Sequence, residues 1–200
     1  MIMSRKLPQI YLARHGETAW ALTGQHTGRT DIPLTDRGER NARSLAGRLR
    51  GLTFAAVFAS PLQRARRTCE LAGFGSVART APDLMEWDYG VYEGLTTDDV
   101  RKERPDWTLM RDGCPGGETI EEVNARAGRV VDGLRALTGD VLLFSHGHFL
   151  RFLACRWLDL PPADARCFLL STASLSILGY EHGPDEPAVR LWNDDRHVEL

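Results

Sequence analysis

The sequence predicts an α/β fold with a mostly parallel central sheet flanked by helices. Three observations lead there. Apolar runs of strand length alternate with segments of helical period along the chain. The last two strand-like runs follow one another without a helix, which adds an antiparallel edge. The composition, 42% hydrophobic and 26% charged over 200 residues, suits one core that buries roughly two thirds of the unfolded surface without metal or disulfide staples.

In chain order, a first strand is expected at 9–13, an apolar run that ends in Arg14, His15 and Gly16. A helix over 35–50 follows, with Gly38, Ala42, Leu45, Ala46 and Leu49 on one face and arginines and glutamates on the other. A strand at 55–59 leads into a second helix, for which Ser60 is the expected N-cap, Pro61 the first helical residue and Gln63 the capping-box partner. A strand at 76–80 comes next. From 82 to 118 periodicity gives way to Trp, Tyr, Gly, Asp and Pro, with one amphipathic stretch at 96–103, an insertion over the sheet rather than a second domain. Thr119 and Glu122 form a capping box for a helix that runs toward Leu137, with Ile120, Val123, Ala127, Val130, Val131 and Leu134 facing inward. The strand at 141–145 ends in Ser145, His146 and Gly147, and a helix then runs to about Leu158. Strands at 174–180 and 189–192 close the chain, which reads as a single domain over 1–200.

Charge narrows the function. With 27 acidic and 25 basic residues the net charge is -2, which argues against a coat for nucleic acid or an anionic membrane and leaves small anions open. Cys69, Cys114, Cys155 and Cys167 are scattered, no secretory apolar region follows the start, and no apolar run approaches the length of a membrane span. Reduced thiols in a cytoplasm are therefore expected.

The chemistry-bearing residues gather at predicted strand ends. Ligands of open parallel sheets bind outside the carboxyl ends of strands, where both His-Gly pairs fall, each glycine letting the backbone turn at once and leave the ring exposed. Arg64 projects from the first turn of the helix after the second strand, beside free N–H groups, a natural anion receiver; Arg66 and Arg67 read as solvated helix face. Arg14, His15, Arg64 and His146 thus fall within reach of one pocket, with guanidinium forks for phosphoryl oxygens and an imidazole as nucleophile or donor. A proton donor for the leaving oxygen is sought in the insertion, where Trp87 and Tyr89 would desolvate a neighbouring carboxyl. Residue chemistry leaves Glu86, Asp88 and Glu93 as alternatives.

Four blocks now stand in order: Leu12 to Thr18, Ser60 to Arg66, Glu86-x-x-Tyr89-Gly90, and Ser145 to His148. Together they resemble the histidine phosphatase superfamily. The resemblance implies a three-layer, phosphoglycerate-mutase-like fold with the insertion of 82–118 over the active site. It also implies that His15 becomes a phosphohistidine, that Arg14, Arg64 and His146 bind phosphoryl oxygens, and that Glu86 is the general acid and then base. Segments 24–35, 86–94, 111–119 and 146–151 resemble a branch of acid phosphatases related to sedoheptulose bisphosphatase. By that similarity His26 and Thr27 line the substrate pocket, Tyr89 lies beside the acid, Arg151 holds a second phosphate or distal oxygen, and His182 also faces the site. Ala21 departs from many relatives, which have Asn there, and so lacks a side-chain donor to the phosphoryl group.

The expected function is a metal-independent phosphomonoester hydrolase acting on a small phosphorylated metabolite, a sugar phosphate or bisphosphate, with no cofactor and no metal, no nucleic-acid or membrane partner, and an edge strand that would permit a homodimer. Three alternatives compete. A cofactor-dependent phosphoglycerate mutase would carry extra basic residues after Gly94, where Leu95, Thr96, Thr97, Asp98 and Asp99 stand instead. A metallohydrolase would use His15, His146 and His148 with a carboxylate, but Arg14 would repel the cation and no H-E-x-x-H spacing is present. A non-catalytic phosphometabolite-binding module would have lost the nucleophile or the acid, and neither is missing. Elsewhere Trp107, Trp157 and Trp192 read as packing residues, Asp98, Asp99, Asp194 and Asp195 as solvated surface, and Cys114 as a residue of a glycine-rich turn that lacks a P-loop lysine.

Overall fold

The computed structural model describes residues 7–199, so the start of the chain, read above for a secretory segment, lies outside the described residues. At the centre, β1 (Ile10–Arg14) pairs in parallel with β4 (Val141–Ser145). The six-stranded sheet has the order β3-β2-β4-β1-β5-β6, with β2 (Ala56–Ala59), β3 (Arg79–Thr80), β5 (Leu175–Tyr180) and β6 (Pro187–Asp194). The strands from β3 to β1 are parallel, whereas β5 runs against β1 and β6 against β5, so the antiparallel edge is two strands wide.

Strand alternation makes the layers. Ile10, Leu12, Val141 and Leu143 point to one face, where they pack with Val123, Ala127 and Val131 of α6 (Ile120–Arg135) and with Phe149, Leu153 and Trp157 of α7 (Gly147–Trp157). Tyr11, Ala13, Leu142 and Phe144 point to the other, against Leu45 and Leu49 of α2 (Asp36–Leu49) and Cys69 of α3 (Gln63–Leu71). Both faces are covered, which is why β1 and β4 read as unbroken apolar runs. Each large side chain so buried contributes about 1.5–3 kcal/mol. Trp107 and Trp157 are buried in the first of these cores and Trp192 packs on its margin, as expected of packing residues.

The stretch over 82–118 folds as 3-10 turns at Pro82–Leu84 and Gly90–Tyr92, then α4 (Thr97–Glu103) and α5 (Leu109–Asp112). Asp99 serves as capping-box partner of Thr96 at the start of α4. Buried Trp87, Tyr89 and Trp107 anchor the segment, and Ser145 Oγ donates to the Leu84 carbonyl at 2.7 Å, tying its entry to the end of β4. Among the described residues no helix is long and apolar enough to cross a membrane.

Several elements differ from expectation. Helix α3 begins at Gln63 rather than beside Ser60. Its cap comes from elsewhere, because the Gln63 N–H donates to Asp31 Oδ1 at 2.8 Å while Ser60 Oγ meets His146 Nε2 at 2.7 Å. Strand β3 is two residues long because the Val77 and Ala78 amides are spent in a turn on the Phe74 carbonyl. A one-turn α1 (Ala19–Thr23), unsignalled by periodicity, is capped by Thr18 and ended by Gly24 at φ 74°. Asp194 is buried rather than solvated; Arg196 and Arg48 bind its carboxyl and hold it down to about 2.

The glycine after each histidine serves close approach rather than an unusual dihedral. A Cβ on Gly16 would lie 2.5 Å from the Gly38 carbonyl oxygen, and one on Gly38 would lie 2.2 Å from the Glu17 carbonyl oxygen. The loop behind His15 is thereby pressed onto the start of α2. Gly38→Ala is expected to cost about 1–3 kcal/mol in chemical denaturation and to lower activity by displacing the His15 loop. Wild-type stability with wild-type activity would show that this contact does not hold the loop.

Candidate active site

In-register pairing of β1 with β4 sets Arg14 opposite Ser145, and the His15 amide donates to the Ser145 carbonyl at 2.9 Å. The next residues of the two strands, His15 and His146, therefore meet, with ring centroids 5.1 Å apart. His15 Nδ1 lies 2.7 Å from the Gly16 carbonyl oxygen. A carbonyl can only accept, so Nδ1 bears the proton and the Nε2 lone pair is free. Burial, then Arg64 and Arg14, push the His15 pKa well below its ordinary value and keep the ring neutral.

His146 is fully buried, and burial, then Arg64 and His15, hold it neutral too. Among the described residues His146 Nε2, at 2.7 Å, is the one acceptor that the Ser60 hydroxyl meets, while Ser60 Oγ accepts from the Leu62 amide at 3.3 Å, so the hydroxyl proton is assigned to His146 Nε2. That leaves Nδ1 as the N–H, and this atom is buried without a protein partner.

The arginines share this pattern. Arg64 is fully buried and spends its terminal nitrogens on the carbonyls of Thr27, Gly28 and Thr30 at 2.8–3.0 Å, stapling that loop to α3. Arg14 donates through its terminus to the Leu170 carbonyl. In Arg14, Arg64 and Arg151 alike the Nε atom is buried and unpartnered. Burial lowers the pKa of all three, and Glu86 is the largest influence that opposes it; as guanidiniums they stay charged. Three cations about one carboxylate leave a local excess of positive charge in a chain whose net charge is -2.

Glu86 is buried at the N-terminus of α7, a helix without a side-chain cap of its own. Its Oε1 accepts from the Phe149 amide at 2.8 Å and the Trp87 amide at 2.9 Å, and its Oε2 from the His148 amide at 3.1 Å. The carboxylate thus takes up orphan amides of the helix's first turn from across the site. Asp88 and Glu93, the other carboxylates in contention, point elsewhere. Asp88 Oδ1 accepts from the Gly90 amide, and Glu93 binds the amides of Arg29 and Thr30.

A cavity of about 280 Å³ opens over these groups, with Arg14, His15, Glu86, Tyr89, His148 and Arg151 in its wall. His26, Thr27 and Ala21 line it as well, whereas Arg64 and His146 are fully buried and not part of its lining. His26 packs tilted against Tyr89 and edge-on against Trp107, and its Nε2 is a further buried atom without a partner. His182 is not brought to the site. It sits on the exposed β5–β6 hairpin, paired with Glu186 at 2.9 Å, because the two antiparallel strands carry that turn away from the strand ends that form the pocket.

His148, Trp20 and Leu109 also line the cavity and were missed as site residues. His148 had a signal, its place two residues after His146 on the first turn of α7. The Tyr89 hydroxyl lies 2.6 Å from His148 Nδ1. Burial raises the tyrosine far above its usual range and lowers the histidine far below its own, so this hydrogen bond joins two neutral groups. Among the described residues, the side chains spaced to hold a metal ion are Glu181, His182 and Glu186, all exposed. That set contains neither His15, His146 nor His148, the trio of the metallohydrolase alternative.

Residues 10–195 match the model of the histidine phosphatase superfamily, branch 1. The chain is 46% identical over 186 residues to an acid phosphatase of Mycobacterium tuberculosis, covering 90% of this chain and 91% of that one. It is 31% identical over 250 residues to a sedoheptulose 1,7-bisphosphatase of Saccharomyces cerevisiae, covering 92% of each. A solved structure of an open reading frame product of Mycobacterium tuberculosis superposes with a TM-score of 0.88 at 42% identity, covering 93% of this chain and 97% of that one.

The buried imidazoles make stability depend on pH. In the unfolded chain each titrates near 6.5; in the folded chain His15, His146 and His148 resist protonation. Below 6.5 the unfolded state therefore binds more protons, and stability present above 6.5 is lost as pH falls, with a slope of at most about 1.4 kcal/mol per pH unit for each group. Denaturation midpoints measured from pH 7.5 to 5 should fall steadily below 6.5. A flat profile would contradict the neutral assignments.

Proposed function

Because the chain belongs to the histidine phosphatase superfamily, branch 1, we propose that it hydrolyses phosphomonoesters through a phosphohistidine at His15. The observation that supports this best is that Arg14, Arg64 and His146, the neighbours whose charge or ring acts on His15, each carry a buried nitrogen without a partner. Leaving a buried donor unpaired costs about 1–3 kcal/mol, and a phosphoryl dianion is a ligand that repays several of them at once. The fork geometry of arginine suits its nonbridging oxygens.

In the first step His15 Nε2 attacks phosphorus, the P–O ester bond breaks, and Glu86, a carboxylate in the empty site that takes up a proton on Oε2 with the incoming dianion, gives that proton to the departing alcohol. In the second, Glu86 takes a proton from water, the water oxygen attacks phosphorus, and the P–N electron pair returns to Nε2. Little covalent work is needed beyond the nucleophile, so positioning and charge neutralisation by Arg14, Arg64 and His146 dominate. His26, Thr27, Tyr89, Arg151 and His148 line the cavity and in this reading contact the leaving group. The names of the two relatives, acid phosphatase and sedoheptulose 1,7-bisphosphatase, and Arg151 in the pocket wall favour a small phosphorylated metabolite such as a sugar phosphate or bisphosphate. Hydrolysis is preferred to mutase chemistry because α4, where a mutase would carry a base to grip a carboxylate, brings Thr97 to the cavity wall and has Asp98 and Asp99 in its first turn. A cytoplasmic place of action and pairing of two copies along an edge strand accompany this reading; light scattering tests the latter.

His15→Ala should lower kcat by a factor on the order of 10^4 to 10^6 and leave the melting temperature close to wild type. Activity of the wild-type enzyme on 4-nitrophenyl phosphate should persist in a chelator. A screen of sugar phosphates, phosphoglycerates and nucleotides should rank sugar phosphates first. Substantial turnover by His15→Ala would overturn the proposal.

A further inference from the structure

Glu86 holds its place through a side chain that never reaches the cavity. Arg126, on α6, is 5% exposed and uses every N–H of its guanidinium. Nε and one terminal nitrogen grip the Glu118 carboxylate, each at 2.8 Å. The remaining N–H groups go to three carbonyls of one short segment: Asp83 at 2.9 Å, Met85 at 2.6 Å and Glu86 itself at 3.3 Å. The guanidinium carbon also lies 4.6 Å above the Phe149 ring, and Phe149 donates its amide to Glu86 Oε1.

Glu118 grips the other side of the same segment. Its Oε2 accepts from the Asp88 amide at 3.0 Å and from Arg29 at 3.3 Å, its carbonyl from Trp87 Nε1 at 2.8 Å, and its amide donates to the Asp88 carbonyl at 3.0 Å. Residues 83–88 are thereby fixed before and after Glu86 by one ion pair, its arginine buried and its glutamate partly so. A pair of this kind is weak support for stability, since the cost of desolvating its charges offsets their attraction. What it supplies is geometry, because a planar fork with its donors in fixed directions sets carbonyls to within tenths of an ångström.

We propose that Arg126 and Glu118 act as positioning residues that set the Glu86 carboxyl in line for proton transfer to the leaving group. The inference rests on the acid–base role given to Glu86 under Proposed function. Its distinguishing mark is leaving-group dependence. A nitrophenolate departs without a proton, so a misplaced acid matters little to it, whereas an alkoxide needs the proton.

The test is rapid-quench measurement of phosphoenzyme formation from 4-nitrophenyl phosphate and from glycerol phosphate, with wild type, Arg126→Lys and Glu118→Gln. Lysine keeps the charge but loses the fork, so Arg126→Lys should not rescue. Its phosphorylation rate should fall about 100-fold with glycerol phosphate and about threefold or less with the aryl ester, at an undiminished burst amplitude with the aryl ester. Glu118→Gln, which retains part of the hydrogen bonding, should show the same selectivity in milder form and serves alone if Arg126→Lys fails to fold. An equal fall on both esters, or a fall in amplitude without a fall in rate, would overturn the positioning role. A wild-type enzyme that forms no phosphoenzyme from either ester would instead overturn the phosphohistidine proposal on which it rests.

Discussion

The hydrogen-bonded register between β1 and β4 is the constraint on which the site depends. Because Ile10 lies opposite Val141 and Arg14 opposite Ser145, the two His-Gly turns leave the sheet at the same level. The His15 backbone is then held from both sides, its amide by Ser145 and its carbonyl by the Ala173 amide at 2.9 Å. Ala173 itself sits at φ 57°, a conformation costly for a residue with a Cβ, and its carbonyl is bonded at 2.8 Å by His197 near the C-terminus. A slip of one residue would turn every buried side chain of either strand to the wrong face, so the packing of both cores guards the spacing of the two imidazoles.

Around that pair the protein collects cations that its interior does not favour. Arg14, Arg64 and Arg151 are desolvated, and the Nε of each is buried without a partner. Such an arrangement stores unfavourable free energy in the empty site, which the hydrophobic layers on both faces of the sheet must offset. It also explains how a chain of net charge -2 takes an anionic ligand: the acidic excess lies on the outer surface, while the positive charge is local, buried and of the size of one phosphoryl group.

How much of this was legible in the sequence follows from how local each signal is. The strands at 9–13 and 141–145, the amphipathic face of α2 and the Thr119 capping box depend on neighbours in the chain, and each appears close to its expected bounds. Ser60 misled because its local pattern is that of an N-cap, whereas His146, 86 residues away in sequence, takes its hydroxyl. Asp194 looked like solvated surface until Arg48 came in from α2. His182 could be placed only by knowing the path of the last hairpin, and the pairing of Glu118 with Arg126 beneath Glu86 depends on a helix laid across the insertion. What stayed hidden was in each case a contact between elements distant in sequence.

The central claim is that the unpartnered nitrogens of Arg14, Arg64 and His146 form one cradle for a phosphoryl group in line with His15 Nε2. A crystal structure with orthovanadate tests it most directly, since vanadate adopts the five-coordinate geometry of phosphoryl transfer. The account predicts vanadium bonded to His15 Nε2, with its equatorial oxygens within hydrogen-bonding distance of Arg14, Arg64 and His146 Nδ1, and with Glu86 beside the apical oxygen opposite His15. Vanadate bound away from His15, or bound there while those nitrogens remain unpartnered, would contradict it.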